Sequence, residues 1–234
     1  MKDFFSKVTF GFLMAQVFPG AVAVLSLSFL YSNFGANQPN SLLGAIRTTI
    51  GGWAAASATA QLFLLGLCIG AGMAIHGIAW SVVGFYESSR DKAIFDSFWH
   101  KHRIAYQVLL GPLKIIGETA FFLFTATNIR GATVPENVPK IHKDLFPHFE
   151  FLQDFYLYNA QFFTHTAYAL VGSFASVVAF IIGNGWTPRR IIVGILVYIT
   201  CGLFFVLGRI QLSSLFAAED DLVTASRWRS IGEA

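Results

Sequence analysis

Six histidines are the residues of this chain most suited to metal or proton chemistry. His76 and His165 lie inside long apolar runs, and two imidazoles at matching depth in antiparallel helices would permit haem ligation. The other four lie in the polar middle of the chain: His100, His102, His142 and His148. These four could supply imidazole ligands to zinc or iron. Hydrogen-bonded histidines inside a membrane and basic histidines near lipid phosphates are the simpler interpretation, so we expect no cofactor and no metal.

Motifs of known enzyme classes do not occur in the sequence. It contains no His-Glu-x-x-His zinc motif, no Gly-x-Ser-x-Gly nucleophile turn and no Gly-x-x-x-x-Gly-Lys phosphate loop. The apolar runs also have almost no carboxylates of the kind that proton-coupled transporters use. We therefore expect a protein that is not an enzyme.

One pair of opposite charges lies within an apolar stretch. Lys114 and Glu118 are four residues apart in residues 104–127, so a helix places them on one face. In the simpler interpretation the two charges neutralise each other and lower the free-energy cost of burial. Paired charges at membrane depth also commonly face a cavity, so the alternative is a re-entrant element that lines an ion path.

Four long apolar runs must position these side chains: residues 8–34, 59–86, 162–183 and 191–212. At about 1.5 Å per helical residue, each run can cross a hydrocarbon layer of about 30 Å. Hydrophobic residues make up 55% of the chain and charged residues 12%, whereas soluble domains have roughly 25% charged residues. The first run is longer than the apolar core of a signal peptide, so we expect it to be retained. The predicted fold class is an all-α integral membrane protein.

The basic residues favour four spans over five. With four spans, 13 of the 16 Lys and Arg residues lie on one side, and the other side has only Arg47, Arg189 and Arg190. Counting residues 104–127 as a fifth span removes this asymmetry. Because basic residues concentrate on the cytoplasmic side, we predict four spans in a cell inner membrane with both termini in the cytoplasm. Residues 104–127 are then a half-buried or interfacial helix, interrupted at Gly111-Pro112.

This topology divides the chain into two helical hairpins and two polar parts. The predicted parts are a first hairpin (1–86), a helical, partly interfacial cytoplasmic region (87–161), a second hairpin (162–213) and a cytoplasmic tail (214–234).

Small residues and one proline indicate how the helices pack. The small residues at close-packing spacing are Gly66, Gly70, Gly72, Gly172 and Ser176. They allow close contact within one subunit, or between the subunits of a homo-oligomer. Pro19-Gly20 removes a backbone hydrogen bond in the first span and should kink it, either as a fixed bend or as a hinge. Cys68 and Cys201 are interpreted as small packing residues.

Aromatic and basic residues of the polar parts are candidates for docking a partner. They are Trp99, Phe151, Phe155, Tyr158, Arg227, Trp228 and Arg229. Such a surface, if other helices leave it uncovered, fits a second copy or a cytosolic protein. The basic residues of the middle region are dispersed among apolar ones, so we expect contact with membrane lipids and not with nucleic acid.

The leading functional hypothesis is an oligomeric inner-membrane anchor or sensor for a cytosolic partner. A gated ion channel or pore-forming effector is the first alternative, and an interfacial metal-dependent lipid enzyme is the second. No motif ties the chain to a family. Its general build is similar to that of small membrane components of bacterial multi-gene systems, including phage-defence systems, and this similarity is one of architecture only.

Overall fold

The computed structural model describes residues 11–33, 42–88, 103–125 and 141–232, and all regular structure within these ranges is helical. The helices are α1 (Phe18–Asn33), α2 (Leu42–Ala54), α3 (Ala58–Ser88), α4 (Ile104–Thr125), α5 (Phe146–Leu152), α6 (Tyr158–Asn184) and α7 (Pro188–Gly232). A π-helical segment precedes α1 (Leu13–Val17), a second one joins α5 to α6 (Gln153–Leu157), and a 3-10 turn precedes α5 (Lys143–Leu145).

Five helical stretches are long and apolar enough to cross a membrane. They are Leu13–Tyr31, Ala58–Val83, Ile104–Thr125, Lys143–Asn184 and Pro188–Trp228. Within the described residues, the prediction of an all-helical protein with helices long and apolar enough to cross a membrane is therefore confirmed. The number of four spans stays a prediction, because α4 qualifies by length and composition as well.

The hairpin of α6 and α7 is the centre of the bundle. The chain reverses at Gly185, whose φ of 84° is a left-handed conformation that glycine adopts without steric cost. Along the hairpin, the Cys201 thiol donates to the Ala167 carbonyl over 3.2 Å, and Gly208 lies against Thr164. These contacts fix α6 and α7 as antiparallel neighbours.

Both helices of this hairpin are longer than a membrane is thick. At about 1.5 Å per residue, the 45 residues of α7 extend about 68 Å, which is roughly twice a hydrocarbon layer of about 30 Å. We call the polar end of the hairpin, residues 143–157 with 213–228, the stalk. Val223 of α7 packs there in one cluster with Leu145 and Phe149, and the Gln153 amide donates to the buried Glu219 carboxylate.

The helix α1 runs parallel to α6. Phe18 packs against Phe162 near the stalk, with ring centroids 5.5 Å apart, and Phe29 packs against Phe180 near the other end, at 5.6 Å. The N-terminal end of α1 is therefore at the stalk end of the bundle.

Consecutive helices α3 and α4 run in the same direction. In α3, His76 contacts His165 and Val83 packs with Ala160, so α3 is antiparallel to α6 and ends near the stalk. In α4, the Leu109 carbonyl accepts from Tyr198 over 2.6 Å and Glu118 pairs with Arg209 over 3.2 Å, so α4 is parallel to α7 and also ends near the stalk. The end of α3 and the start of α4 therefore lie in opposite halves of the bundle.

The helix α4 is continuous across Gly111-Pro112, where the sequence had indicated an interruption. Proline lacks the N–H group that would bond to the carbonyl of Val108, four residues earlier. That carbonyl lies against Gly202 of α7, where an added Cβ would be 1.8 Å from the oxygen. Such an approach places the Cα–H of glycine at the carbonyl, a weak hydrogen bond that stabilises close helix packing. The helix α4 is thus packed lengthwise on α7.

We expect Gly202→Ala to destabilise the contact between α4 and α7. The added methyl group would overlap the Val108 carbonyl, and overpacking of this kind costs about 1–3 kcal/mol or more. The thermal midpoint of the detergent-solubilised protein should fall.

The matched control is Gly117→Ala in α4. No atom of the described residues lies within 4 Å of its Cβ position, so its midpoint should stay or rise slightly, since alanine favours helix by about 0.5–1 kcal/mol. Equal midpoints for the two variants would contradict the packing described for Gly202.

Candidate functional site

Polar side chains from five helical stretches meet at one depth of the bundle, close to the stalk. We call this group the polar layer: Gln16, His76, Glu118, His165 and Arg209. The contacts of Ala15 and His76 with His165, of Thr164 with Gly208 and of Glu118 with Arg209 connect all five stretches at that level. Ionisable side chains at such a depth mark functional sites by default, because their burial is costly.

The first element of the polar layer is a backbone carbonyl that a proline leaves without its donor. In an α-helix the Ala15 carbonyl would accept from residue 19, but Pro19 has no N–H group. The ring nitrogen Nδ1 of His165, on α6, lies 2.5 Å from this oxygen and occupies the missing donor's place. Both Pro19 and His165 are completely buried. The irregularity of α1 and the histidine of α6 therefore form one structural unit.

The two intramembrane histidines are in direct contact. The rings of His76 and His165 meet edge to face, with centroids 5.0 Å apart, and His76 also stacks on Trp80. A haem iron held by both rings would have to lie between them, and this contact leaves no such space. Nε2 of His165 and Nδ1 of His76 are buried without a hydrogen-bond partner among the described residues.

The second element is a buried cluster of three charges. The Glu118 side chain is 6% exposed and lies between Lys114, at 3.5 Å, and Arg209, at 3.2 Å. The Arg209 guanidinium also lies over the Phe205 ring at 5.2 Å. The Glu118 carboxylate thus contacts two cationic side chains, one from its own helix and one from α7. Removing one partner of a buried pair typically costs 3–5 kcal/mol, so the cluster joins α4 to α7.

Arg209 is the member of this cluster that the sequence did not identify. The topology count had placed it among the cytoplasmic basic residues, although it lies within the fourth apolar run. A single arginine inside such a run, beside Gly208, is a signal that an intramembrane partner exists.

The predicted small residues divide into two groups. Gly72 lies against the Gln16 carbonyl, Gly20 lies against the Cys68 carbonyl, and the Ser176 hydroxyl donates to the Ser26 carbonyl over 3.1 Å. At Gly66, Gly70 and Gly172, in contrast, no described atom lies within 4 Å of an added Cβ. Gly66 and Gly70 line an open groove of about 570 Å³ between α1 and α3.

The predicted docking residues lie mostly on the stalk. Phe151 and Phe155 are stacked with centroids 5.9 Å apart and are 62% and 51% exposed. Tyr158 packs towards Gly11 at the start of the described chain, while Arg227 and Trp228 are exposed near the C-terminal end of α7. Trp99 and the Arg229 side chain lie outside the described residues.

The histidines of the polar middle do not form a metal centre in the part of the chain that is described. The ring of His142 caps the turn before α5 by accepting from the Asp144 N–H over 3.4 Å. No group of three or more His, Cys, Asp or Glu side chains in the described ranges is placed to hold a metal ion. His100 and His102 lie outside those ranges.

No known protein family, no curated protein and no solved structure matches this chain.

We expect His165 and Pro19 to be energetically coupled. His165→Phe removes the donor to the Ala15 carbonyl and should lower the free energy of unfolding by about 1–3 kcal/mol. In a Pro19→Ala background the restored N–H can satisfy that carbonyl, so the same His165 change should cost less. Thermal or chemical unfolding of the four proteins in detergent measures the coupling.

His165→Asn is the matched variant, since its side-chain amide can place a donor near the position of Nδ1. It should retain more stability than His165→Phe. Strictly additive effects of the Pro19 and His165 changes would show that the two residues act independently.

Proposed function

We propose that the chain is a membrane anchor and sensor that binds a cytosolic protein through its stalk. The observation that carries this proposal is the length of α7, 45 residues, and of the helical stretch Lys143–Asn184, 42 residues, since each far exceeds the length needed to cross a membrane. An anchor alone would not need this extension. A paired helical projection instead offers a rigid surface to a soluble partner.

The stalk has an internal core of its own and an apolar surface outside it. Its interior is closed by the cluster around Phe149 and Val223, and the Ser226 hydroxyl accepts the His142 N–H over 2.9 Å. The stacked rings of Phe151 and Phe155 remain outside this core. Exposed aromatic pairs next to polar helix surface are typical of protein-binding sites.

The proposed orientation places the stalk in the cytosol. This follows from the uneven distribution of basic residues, 13 of which fall on the side of the stalk when the chain has four spans. The same-end positions of Ser88 and Thr125 support four spans, because a segment that leaves and rejoins the stalk end adds no crossing. The helix α4 would then belong to a re-entrant element of a cell inner membrane protein.

The sensing part of the proposal rests on the connection between the polar layer and the stalk. The stretch from α5 through the π-helical segment to α6 contains Phe151, Phe155 and His165 in one helical column. A change at the Ala15–His165 contact can therefore reach the docking surface through one stiff element. The open groove at Gly66 and Gly70 supports association with a second copy in the membrane.

We expect the double variant Phe151→Ser, Phe155→Ser to lose its cytosolic partner while remaining folded. The two rings are exposed, so their removal should change the thermal midpoint little and reduce recovery of the partner by at least tenfold, as for central aromatic contacts. Co-purification from crosslinked cells in mild detergent is the measurement.

Phe124→Ser is the control, because Phe124 is 90% exposed but lies on α4 and not on the stalk. Recovery of the wild-type chain alone in several mild detergents would contradict the proposed function. Labelling of a cysteine at position 228 by a membrane-impermeant reagent outside intact cells would contradict the orientation.

A gated ion path is the second candidate, and the charge cluster on α4 favours it. The helix α4 carries Lys114 and Glu118 at membrane depth, as the helix of a re-entrant pore element would. Ser88 and Thr125, on either side of its segment, both lie at the stalk end of the bundle.

For this candidate we expect ion flux through liposomes that contain the purified protein. Glu118→Gln should raise the positive potential of the path and increase anion selectivity, whereas Pro19→Ala should change gating and leave selectivity unchanged. Glu150→Gln, on the stalk, is the matched charge control. Absence of flux from folded protein at all applied voltages and pH values would remove the candidate.

A further inference from the structure

A pocket lies at the end of the bundle opposite the stalk, between α1, α2, α6 and α7. Its volume is about 250 Å³, and its walls are chiefly aliphatic and aromatic side chains such as Phe29, Ile46, Val177 and Val193. This is below the roughly 300–1,000 Å³ of pockets for drug-sized ligands. The pocket therefore suits one segment of an aliphatic chain.

The pocket lies at the level of the hydrocarbon layer. Its walls fall within residues 22–29 of α1, 173–177 of α6 and 193–197 of α7, and all three ranges belong to stretches that are long and apolar enough to cross a membrane. On α1 the wall extends about 10 Å along the helix axis, at about 1.5 Å per residue. The pocket thus extends along the spans, which is also the mean direction of the acyl chains in a bilayer.

The hydroxyl groups in the pocket wall already have hydrogen-bond partners. Ser26 and Ser173 share a hydrogen bond of 2.6 Å, Ser176 donates to the Ser26 carbonyl over 3.1 Å, and Thr49 donates to the Ala45 carbonyl over 3.0 Å. The buried side-chain atoms of the described ranges that lack a partner all belong to residues outside this wall. An apolar occupant therefore leaves no wall hydroxyl without its bond.

Water is a poor occupant for a pocket with such walls. A buried water needs about two to four polar partners, and an engineered apolar cavity of about 150 Å³ stays dry and binds benzene or xenon instead. Wall atoms that face an empty space also lose the dispersion contacts that a packed interior provides. The pocket is therefore more stable when an apolar molecule fills it.

The short helix α2 distinguishes this pocket from the outer surface of a span. Its 13 residues extend about 20 Å, which is less than a hydrocarbon layer of about 30 Å. Ala45 is buried in one apolar cluster with Phe29 and Phe180, so α2 packs on α1 and α6, while Ile46 and Ile50 line the pocket. Ile50 is 53% exposed. The apolar wall thus reaches the surface beside Ile50, where a chain can enter between the helices.

We propose that this pocket binds one acyl chain of a membrane lipid, held between α1, α2, α6 and α7. Acyl chains are the apolar molecules that surround the spans at this depth, so the membrane itself supplies the occupant. The site selects the chain and not the headgroup, because none of the described residues of its wall is charged. The proposal does not depend on the function proposed above.

The test uses the full-length protein in nanodiscs of phosphatidylcholine whose acyl chain carries a photoreactive diazirine. After irradiation, peptide mass spectrometry maps the labelled residues. We expect labelling at Val22, Ile46 and Val197, on three different helices, since a chain in the pocket contacts all three. Phosphatidylglycerol with the same chain should label these residues to the same extent.

A pair of variants separates the pocket from the lipid-facing surface. Val197→Trp places a large ring in the pocket and should abolish the labelling of Val22 and Ile46, which lie on other helices. Ile195→Trp introduces the same ring on the same helix, at a residue that is 51% exposed and outside the pocket wall. It should leave that labelling at the wild-type level.

A competition experiment needs no variant. Dodecane, which has a chain but no headgroup, should reduce the labelling of Val22 and Ile46 in the wild-type protein more than that of the lipid-facing Ile195. An equal reduction at all three residues would count against a distinct site.

Labelling of Ile195 with an unlabelled pocket wall would overturn the proposal, because the pocket would then be filled by protein, either this chain or a second copy. Unchanged labelling of Val22 and Ile46 in a folded Val197→Trp protein would overturn it as well, since lipid at the outer surface would then reach both residues. Labelling of the wall by phosphatidylglycerol alone would overturn the assignment to the acyl chain.

Discussion

A carbonyl group in the interior of a membrane must find a hydrogen-bond donor within the protein, because no water is available there. Pro19 and Pro112 each deprive one carbonyl of its donor, at Ala15 and at Val108. Two residues of neighbouring helices compensate for these missing donors. His165 supplies a ring nitrogen to the first carbonyl, and Gly202 lets the second approach its backbone. Both solutions come from the α6–α7 hairpin, which therefore holds α1 on one side and α4 on the other.

The same constraint explains where the polar side chains lie. A helix irregularity that requires a histidine brings a polar group to a fixed depth, and the charges of Glu118 and Arg209 lie at that depth on the adjoining helices. Grouping polar atoms at one level leaves the rest of each span apolar. Because the Glu118 carboxylate is paired with cations, its burial costs less free energy than the burial of an isolated charge at this depth would. The layer is thus compatible with a stable bundle.

Much of this architecture could be predicted from the sequence, because it follows from local patterns. The long apolar runs identify the helices, and the four-residue spacing of Lys114 and Glu118 identifies the pair on α4. The rule that proline frees the carbonyl four residues earlier points to Ala15 and Val108. None of these patterns predicts which helices are neighbours in the bundle. The roles of Arg209, Gly202 and His165 depend on that order, so they became visible only in three dimensions.

The direction of α4 could not be derived from the sequence for a related reason. Hydropathy and charge counts indicate only whether an apolar stretch crosses the membrane. They do not show that α4 runs parallel to α3 and ends, as α3 does, near the stalk. The short helix α2 shows a second limit, since residues 42–54 lie in what the apolar pattern marks only as a connection. In three dimensions its residue Ala45 is buried in one apolar cluster with Phe29 of α1 and Phe180 of α6.

The unbroken length of α7 has a mechanical consequence. About 19 residues, or about 29 Å, separate Arg209 from Trp228, and no proline lies between them to absorb bending. A tilt of about 10° at the arginine would therefore displace the indole by about 5 Å, the rise of one helical turn. A small tilt of α7 at the buried charges would in this way be enlarged along the helix into a displacement of several ångströms at its C-terminal end.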